Sequence, residues 1–445
     1  MNLLLLHILG AILWIIIGTS RLRLHPLICL MTASVWVGIA VGFGFLEALE
    51  EFTKGFGSLI GQIGLIIILG SILGVLLEKS NAAFILANVI WHYLGKKIPA
   101  LSTALMGYVV GIPVFCDSGF ILLNPIGKNL AKTSGISPLT FSLSLAGGLY
   151  LSHILIPPTP GPLAVAGIFH MEQHLGLILI VGLIVSLPVF LVIAWWANRF
   201  RRTFPANSPE SDESPVVEGK RPSALWPALV IILPLLLITL GNMSGFFGHP
   251  VIIQVLQITG NPIVAISIGL LIGLVFLKDS QSQEPLLGLS FKKGIETAGP
   301  ILILTGAGAG FGAILRQSGL EEIFQQWNLS EGSGGTFWLL IAFALAAFLK
   351  TAQGSSTSAM IIAASIALSI IPEVFLLNKL YTVLVISSIG SGAMAISHAN
   401  DSYFWIIKEF SGLTVNEALR SFSLLTALMS ITALLAILCI NWVAV

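Results

Sequence analysis

Apolar residues fall in long runs along this chain, near 3–19, 27–46, 57–77, 101–115, 139–152, 175–197, 225–241, 251–277, 298–315, 335–349, 359–371, 379–395 and 421–443. About twenty consecutive apolar residues suffice for a helix to cross a bilayer. The pattern therefore predicts an all-α polytopic membrane protein with about twelve transmembrane elements, several of them too short or too polar to be simple spans. Two polar, helix-breaking stretches interrupt the apolar background: Cys116-Asp117-Ser118-Gly119 and Gly354-Ser355-Ser356-Thr357-Ser358. Hydrocarbon offers no partner for free backbone groups, so broken helices at that depth survive only in protein or beside a water-filled cavity. Paired interruptions in corresponding halves predict a midmembrane substrate site built from broken helices and re-entrant hairpins.

The halves correspond in sequence. Leu73-Gly74-Val75-Leu76-Leu77-Glu78-Lys79-Ser80 matches Phe311-Gly312-Ala313-Ile314-Leu315-Arg316-Gln317-Ser318 at a shift of 238 (312 − 74 = 238). Ser118 and Ser356 keep that shift, and Ser152-His153 pairs with Ser397-His398 after a slip of seven. The segment 198–224, rich in Pro, Ser, Glu and Arg, reads as a disordered linker between an amino-terminal half, 1–197, and a carboxy-terminal half, 225–445.

Charge orients these elements. Arg21 and Arg23, Lys96 and Lys97, the linker's Arg199, Arg201, Arg202, Lys220 and Arg221, and Lys278, Lys292 and Lys293 fall on one set of loops. The opposite loops, 47–56, 242–250 and 317–334, hold one lysine, Lys54. The positive-inside rule then predicts an outside amino terminus and a cytoplasmic linker. An odd number of crossings in the first half inverts the second repeat relative to it. The run from Leu3 to Gly18 lacks a basic leader and a small-residue cleavage site, so it reads as a retained span.

Composition agrees with a membrane protein. Of the 445 residues 56% are hydrophobic and 9% charged, against about 25% charged in soluble domains. A net charge of +1 gives no basis for nucleic-acid binding. Cys29, Cys116 and Cys439 lie in apolar runs without CxxC or His spacing, so neither a disulfide nor a metal site is expected. No cofactor is implied. The Gly-rich run 306–312 has no strand before it and reads as close helix packing. Glu47, Glu50 and Glu51 read as an exposed loop.

Four groups carry candidate chemistry. Asp117, costly at a helix centre, is either a proton carrier beside the substrate or the N-cap of a half-helix starting at Ser118. Ser355, Ser356, Thr357 and Ser358 open a second half-helix whose free amides and dipole suit an anion or hydroxyl. Lys350, ahead of them, either meets a substrate carboxylate or snorkels to the surface. Ser152 to Pro162, with four prolines, predicts an extended crossing or a re-entrant turn that includes His153 and Thr159. In its counterpart, His398 and Asp401 would share a face if that segment were helical, with Asn400 between them. Ser118, Asp117 and His153 can be assembled on paper into a hydrolase, but that reading leaves the repeat unexplained.

At these motifs the chain resembles the gluconate:proton symporter family of bacterial permeases, within the wider ion transporter superfamily. The resemblance spans essentially the whole chain. Its most specific pieces are Pro157-Pro158-x-Pro160-Gly161-Pro162, Gln353-Gly354-Ser355 with Thr357, and Ser397-His398-x-Asn400-Asp401 followed by Phe404-Trp405 and Lys408-Glu409; Gln317-Ser318-Gly319 also fits. The resemblance implies proton-driven uptake of gluconate or a related small hydroxy or sugar acid across the bacterial inner membrane. It places the family's acidic position on Asp117, its basic position on Lys350 and its His-x-Asn-Asp motif on His398, Asn400 and Asp401. Taken with the residues read above, the expected substrate contacts are Ser118, Gly119, Lys350, Gly354, Ser355, Ser356, Thr357, Ser358, Thr159, His398 and Asn400, and the expected proton-coupling residues are Asp117, Asp401 and His153. The alternatives are a permease for D-serine or glycerate-like substrates and an ion/proton antiporter of the same superfamily. The expected partners are the organic anion, the proton and lipid, and a homo-oligomer is compatible with the sequence. The family pattern carries Glu at the position of Asp117, His at Thr159 and Arg at Lys350. Arg offers a carboxylate a planar fork where Lys is a point charge.

Overall fold

In the computed structural model, residues 3–95, 97–124, 137–200, 225–246, 249–277, 285–319 and 334–444 are described. Most of the proposed linker, Lys96 and Lys278 lie outside them. The amino-terminal half contains α1 (Leu3–Ser20), α2 (Pro26–Val41), α3 (Phe45–Lys79), α4 (Ala82–Ile90), α5 (Pro99–Gly111), α6 (116–124), α7 (Pro138–Leu155), α8 (Pro160–Ile168) and α9 (Leu175–Asn198). The carboxy-terminal half contains α10 (Leu225–Asn242), α11 (Pro250–Thr259), α12 (Pro262–Phe276), α13 (Leu286–Arg316), α14 (Gly335–Gln353), α15 (Ser356–Ile370), α16 (Lys379–Ala393), α17 (Ser402–Phe410) and α18 (Leu424–Ala444). Among the described residues, seven helices are long and apolar enough to cross a membrane, eight if the bent pair α11–α12 counts as one span.

Local sequence sets the boundaries. Proline occupies the first turn of α2, α5, α7, α8, α11 and α12, where its missing N–H costs no helical hydrogen bond. Ser137 caps α7 by accepting from Thr140 N at 3.0 Å, and Asn378 caps α16 through Leu380 N and Tyr381 N.

The core seam is α3 against α13. Glycine lets the two backbones meet: a Cβ on Gly55 would lie 2.8 Å from Ala309 O, and one on Gly310 would lie 2.5 Å from the Phe52 ring. This close packing is what the run 306–312 foretells. Around the seam α2 packs on α13, and α12 packs on α3. Outward faces stay apolar, with Leu187 63% and Leu191 65% exposed on α9. Such a surface suits lipid and not water.

Several sequence expectations change. Residues 47–56 are the opening turns of α3 and not a loop. Glu47 Oε2 accepts from Gly44 N at 3.2 Å at the helix start, and Glu51 pairs with Lys54 at 2.6 Å. Lys292 and Lys293 likewise lie inside α13 and not in a loop. The single run 251–277 is two helices bent by 70°, because Pro262 cannot continue the ladder of α11 and Asn261 caps the new helix. The proline-rich stretch is neither a long extended crossing nor a re-entrant turn. It is a break of four residues, 156–159, and α7 and α8 together run as one candidate span, Pro138–Ile168.

Candidate functional site

In the carboxy-terminal half, α14 stops at Gly354, whose φ of +81° only glycine adopts without strain, and α15 starts afresh at Ser355. A side chain at 354 would place Cβ 2.1 Å from Asn400 O, so two irregular segments touch here backbone to backbone. Lys350, 1% exposed, turns inward from the last turn of α14. Its Nζ reaches Asp401 Oδ2 at 2.6 Å and donates to Gly354 O at 2.6 Å. The surface-snorkelling alternative for Lys350 is thereby overturned, since a carboxylate partner inside the protein supplies what water would.

Asp401 is held on all sides. It accepts from Ser397 Oγ and from Tyr403 N, the latter at 3.1 Å as N-cap of α17. Ser397 is itself fixed by Thr426 Oγ1, which accepts from Ser397 N at 3.0 Å, and by Ser423 Oγ, which donates to Ser397 O. Residues 394–401 are not helical, so His398 and Asp401 do not share a helical face. Instead His398 Nε2 and Asn400 Nδ2 both donate to Thr351 O, at 2.9 and 2.8 Å. That carbonyl lies in the last turn of α14, where no intrahelical donor follows.

In the amino-terminal half, the chain breaks at 112–115 between α5 and α6. Because α6 starts at 116, Asp117 lies inside its first turn and is not an N-cap for a helix starting at Ser118. Asp117 is half-buried and has two long contacts, Ser402 Oγ to Oδ2 at 3.5 Å and Cys116 Sγ to Oδ1 at 3.6 Å. The first of these crosses between halves. Asn124, at the other end of α6, donates to Phe410 O at 2.9 Å and so ties α6 to the far end of α17.

The remaining expected residues divide. Ser355 caps α15 by accepting from Ser358 N at 3.3 Å, and Ser356 Oγ lies 2.7 Å from Tyr150 OH. Ser118 and Thr357 are half-buried at the openings of α6 and α15. Gly119 packs on Leu149, whose Cδ2 a Cβ would meet at 2.7 Å. His153 and Thr159 are buried at the α7–α8 break, on the wall of a separate cavity with Phe115.

Three residues at this centre went unrecognised in the sequence. Tyr150 donates to Ala393 O at 3.1 Å, Tyr403 OH donates to Ala146 O at 3.1 Å, and the two rings lie 5.6 Å apart. Ser402 brings the second half onto Asp117. Aromatic residues in apolar runs give no sign of polar duty, although a tyrosine amid small residues usually seeks a partner for its hydroxyl when buried. Chemically, the arrangement offers a neutralised cation, a lightly held carboxylate and two helix openings.

The description of a GntP family permease matches residues 2–443. The chain is 29% identical to a gluconate permease of Pseudomonas aeruginosa, covering 99% of this chain and 98% of that protein. It is 28% identical to the D-serine transporter DsdX of Escherichia coli, with 96% of each covered. The fold resembles the crystal structure of the YdaH transporter of Alcanivorax borkumensis, with a TM-score of 0.63 over 88% of both chains at 16% identity. A bundle of apolar helices broken at two polar junctions and matched along its length fixes the assignment: the chain is a multi-pass membrane transporter belonging to the GntP family of permeases.

Proposed function

We propose that this permease takes up gluconate or a related small hydroxy acid together with protons. The single observation that carries the reading is the meeting of Asp117 with Ser402, where a half-buried carboxylate with only long contacts sits beside the saturated Lys350–Asp401 pair. A carboxylate so lightly held can take and release a proton without breaking the surrounding network. Asp401 has every partner it needs and serves as the fixed counterion, while His153 is a less favoured carrier because it stands apart at the α7–α8 break.

The substrate carboxylate is received at the openings of α6 and α15, by Ser118, Gly119 and Ser355 to Ser358, where free amides and dipoles favour negative charge. Gly354 and Lys350 keep that opening in shape, His398 and Asn400 brace its rim, and Thr159 adds a hydroxyl near the first break. The relatives named for gluconate and for D-serine concern molecules that share a carboxylate with a polar group on the neighbouring carbon. That common head suits the helix openings.

The two halves, 1–197 and 225–445, are inverted repeats joined by the cytoplasmic linker 198–224, with the amino terminus outside. Displaced by 238 residues, α3 would run 283–317, and α13 runs Leu286–Arg316. The reciprocal packing of α2 on α13 and α12 on α3 agrees with this symmetry. The segments α5–α6 and α14–α15 act as re-entrant hairpins around which one part of the protein rocks against another.

The test is uptake of labelled gluconate into proteoliposomes with an inward proton gradient and no sodium, competed by glycerate, D-serine and other sugar acids. Uptake above a gradient-free control is expected. Cation-dependent pH changes without uptake of any acid would replace this reading with ion/proton antiport.

A further inference from the structure

The hydroxyl of Tyr150 links α7 of the amino-terminal half to the opening of α15. Tyr150 is 2% exposed, and its ring lies 5.6 Å from that of Tyr403 and 6.5 Å from that of Phe422. Tyr403 follows Asp401 at the start of α17, and its N–H donates to that carboxylate at 3.1 Å. Tyr150 is therefore packed against the charged centre. Its hydroxyl meets two groups there, Ala393 O at 3.1 Å and Ser356 Oγ at 2.7 Å.

A phenol has one proton to give. Ala393 is the last residue of α16, and among the described residues no backbone N–H reaches its carbonyl. A buried carbonyl at a helix end needs a donor, and the Tyr150 hydroxyl supplies it. With that proton committed, the contact at 2.7 Å is a hydrogen bond only if Ser356 donates and Tyr150 accepts. The Ser356 proton is then spent on Tyr150, and its oxygen has only lone pairs left for a third partner.

The backbone of the same residue has the opposite polarity. Ser356 and Thr357 open α15, and among the described residues nothing accepts from either N–H. The next two N–H groups are taken, that of Ser358 by Ser355 Oγ and that of Ala359 by Ser355 O. Ser356 is only half-buried. It therefore offers a ligand a donor on its main chain and an acceptor on its side chain, side by side. A carboxylate suits the free N–H groups. The substituent on the carbon next to that carboxylate meets Ser356 Oγ and must bring a proton of its own. A hydroxyl or an ammonium does so, whereas a carbonyl sets lone pairs against lone pairs.

We infer that Tyr150 is a positioning residue that fixes Ser356 Oγ as an acceptor, so that the opening of α15 selects acids bearing a hydroxyl or an ammonium on carbon 2 and rejects 2-oxo acids. The inference rests on the reading of that opening as the carboxylate site and deepens it. Sites built to hydrogen-bond a substrate group discriminate strongly against molecules that leave their polar atoms unpaired.

The test measures inhibition of labelled gluconate uptake by four three-carbon acids: glycerate, D-serine, 3-hydroxypropanoate with no substituent on carbon 2, and hydroxypyruvate with a 2-oxo group. The proteoliposomes carry wild type, Tyr150→Phe, Ser356→Ala or the double variant. In wild type, glycerate and D-serine should inhibit about tenfold more strongly than 3-hydroxypropanoate, the worth of one hydrogen bond, and hydroxypyruvate should be weakest. Tyr150→Phe removes one oxygen, keeps the ring packing and frees Ser356 to donate as well as accept. Hydroxypyruvate should then gain, and the preference for glycerate over it should shrink to about threefold or less. Ser356→Ala should shrink it too, and adding Tyr150→Phe to that variant should change it no further. A purely structural Tyr150 would weaken all four acids equally in Tyr150→Phe and leave the preference as it was, which would overturn the inference. So would wild type that accepts hydroxypyruvate as well as glycerate, a preference that survives Ser356→Ala, or gluconate uptake that none of the four acids inhibits. Wild-type protein that moves no gluconate would remove the functional reading and the inference together, an outcome distinct from all of these.

Discussion

The helix breaks of the two halves solve the problem of polar backbone in an apolar bundle in different ways. At 350–355 and 397–402 the protein uses full charges, a buried ion pair between Lys350 and Asp401 with hydroxyl, amide and carbonyl partners, while the side-chain amide of Gln353 beside it stays unpartnered. At 112–115 and 156–159 it uses prolines and apolar packing, and leaves Ser71 Oγ and His153 Nδ1 unpartnered. A buried ion pair adds little net stability but is costly to split. An unpartnered hydroxyl is the reverse, a small standing cost that its removal relieves. The charged break thus holds its shape through the ion pair, and the neutral one through packing.

Splitting the ion pair is the strongest way to break this comparison. Lys350→Met leaves the Asp401 carboxylate buried without its cation and should cost about 3–5 kcal/mol, seen as a clear fall in the thermal midpoint of the detergent-solubilised protein. Lys350→Met combined with Asp401→Asn should regain much of that stability. If the single variant melts with wild type, the pair is not the structural centre of the second half.

Gly354→Ala is next. The left-handed backbone costs a side chain about 1–2 kcal/mol, and the contact with Asn400 O at 2.1 Å adds to it, since neither backbone can move freely. The same change at Gly119 meets a leucine methyl at 2.7 Å that can rotate away. Gly119→Ala should therefore lower the midpoint much less, and equal effects would argue against the rigidity assigned to the second break.

Asp117→Asn separates coupling from stability. Its two contacts are long, so stability should fall by less than about 1 kcal/mol. Gradient-driven accumulation should disappear while counterflow of labelled for unlabelled substrate persists. Full accumulation by this variant would take Asp117 out of the coupling role.

The smallest effect falls at the neutral break. Ser71→Ala removes a hydroxyl without a partner and should leave the thermal midpoint within about 0.5 kcal/mol of wild type. A large loss would mean that the Ser71 hydroxyl supports the fold.

Much of this was legible along the chain. The polar interruptions at 116–119 and 354–358 stand out because polar, helix-breaking residues are rare in apolar runs, and Gly354 does fall at the break. The family motif holding His398, Asn400 and Asp401 marked the right segment but not its geometry. A spacing of three suggests a shared helical face, and nothing local announces that 394–401 is irregular and that His398 and Asn400 both turn back to Thr351. Lys350 shows the same limit. Whether a lysine snorkels or pairs depends on a carboxylate 51 residues away.

What the sequence by itself determined is the membrane class, the approximate helices, the two breaks and the family, because these follow from hydropathy, from proline and glycine, and from motifs read locally. The tertiary structure alone decided which polar groups are satisfied. It paired Lys350 with Asp401, set Ser402 against Asp117, joined Tyr150 to Ser356, and left Ser71 and His153 facing a cavity. The physical reason is that a buried polar group is settled by partners distant in sequence, and only the packing of α3, α7, α14 and α17 brings those partners within hydrogen-bonding distance.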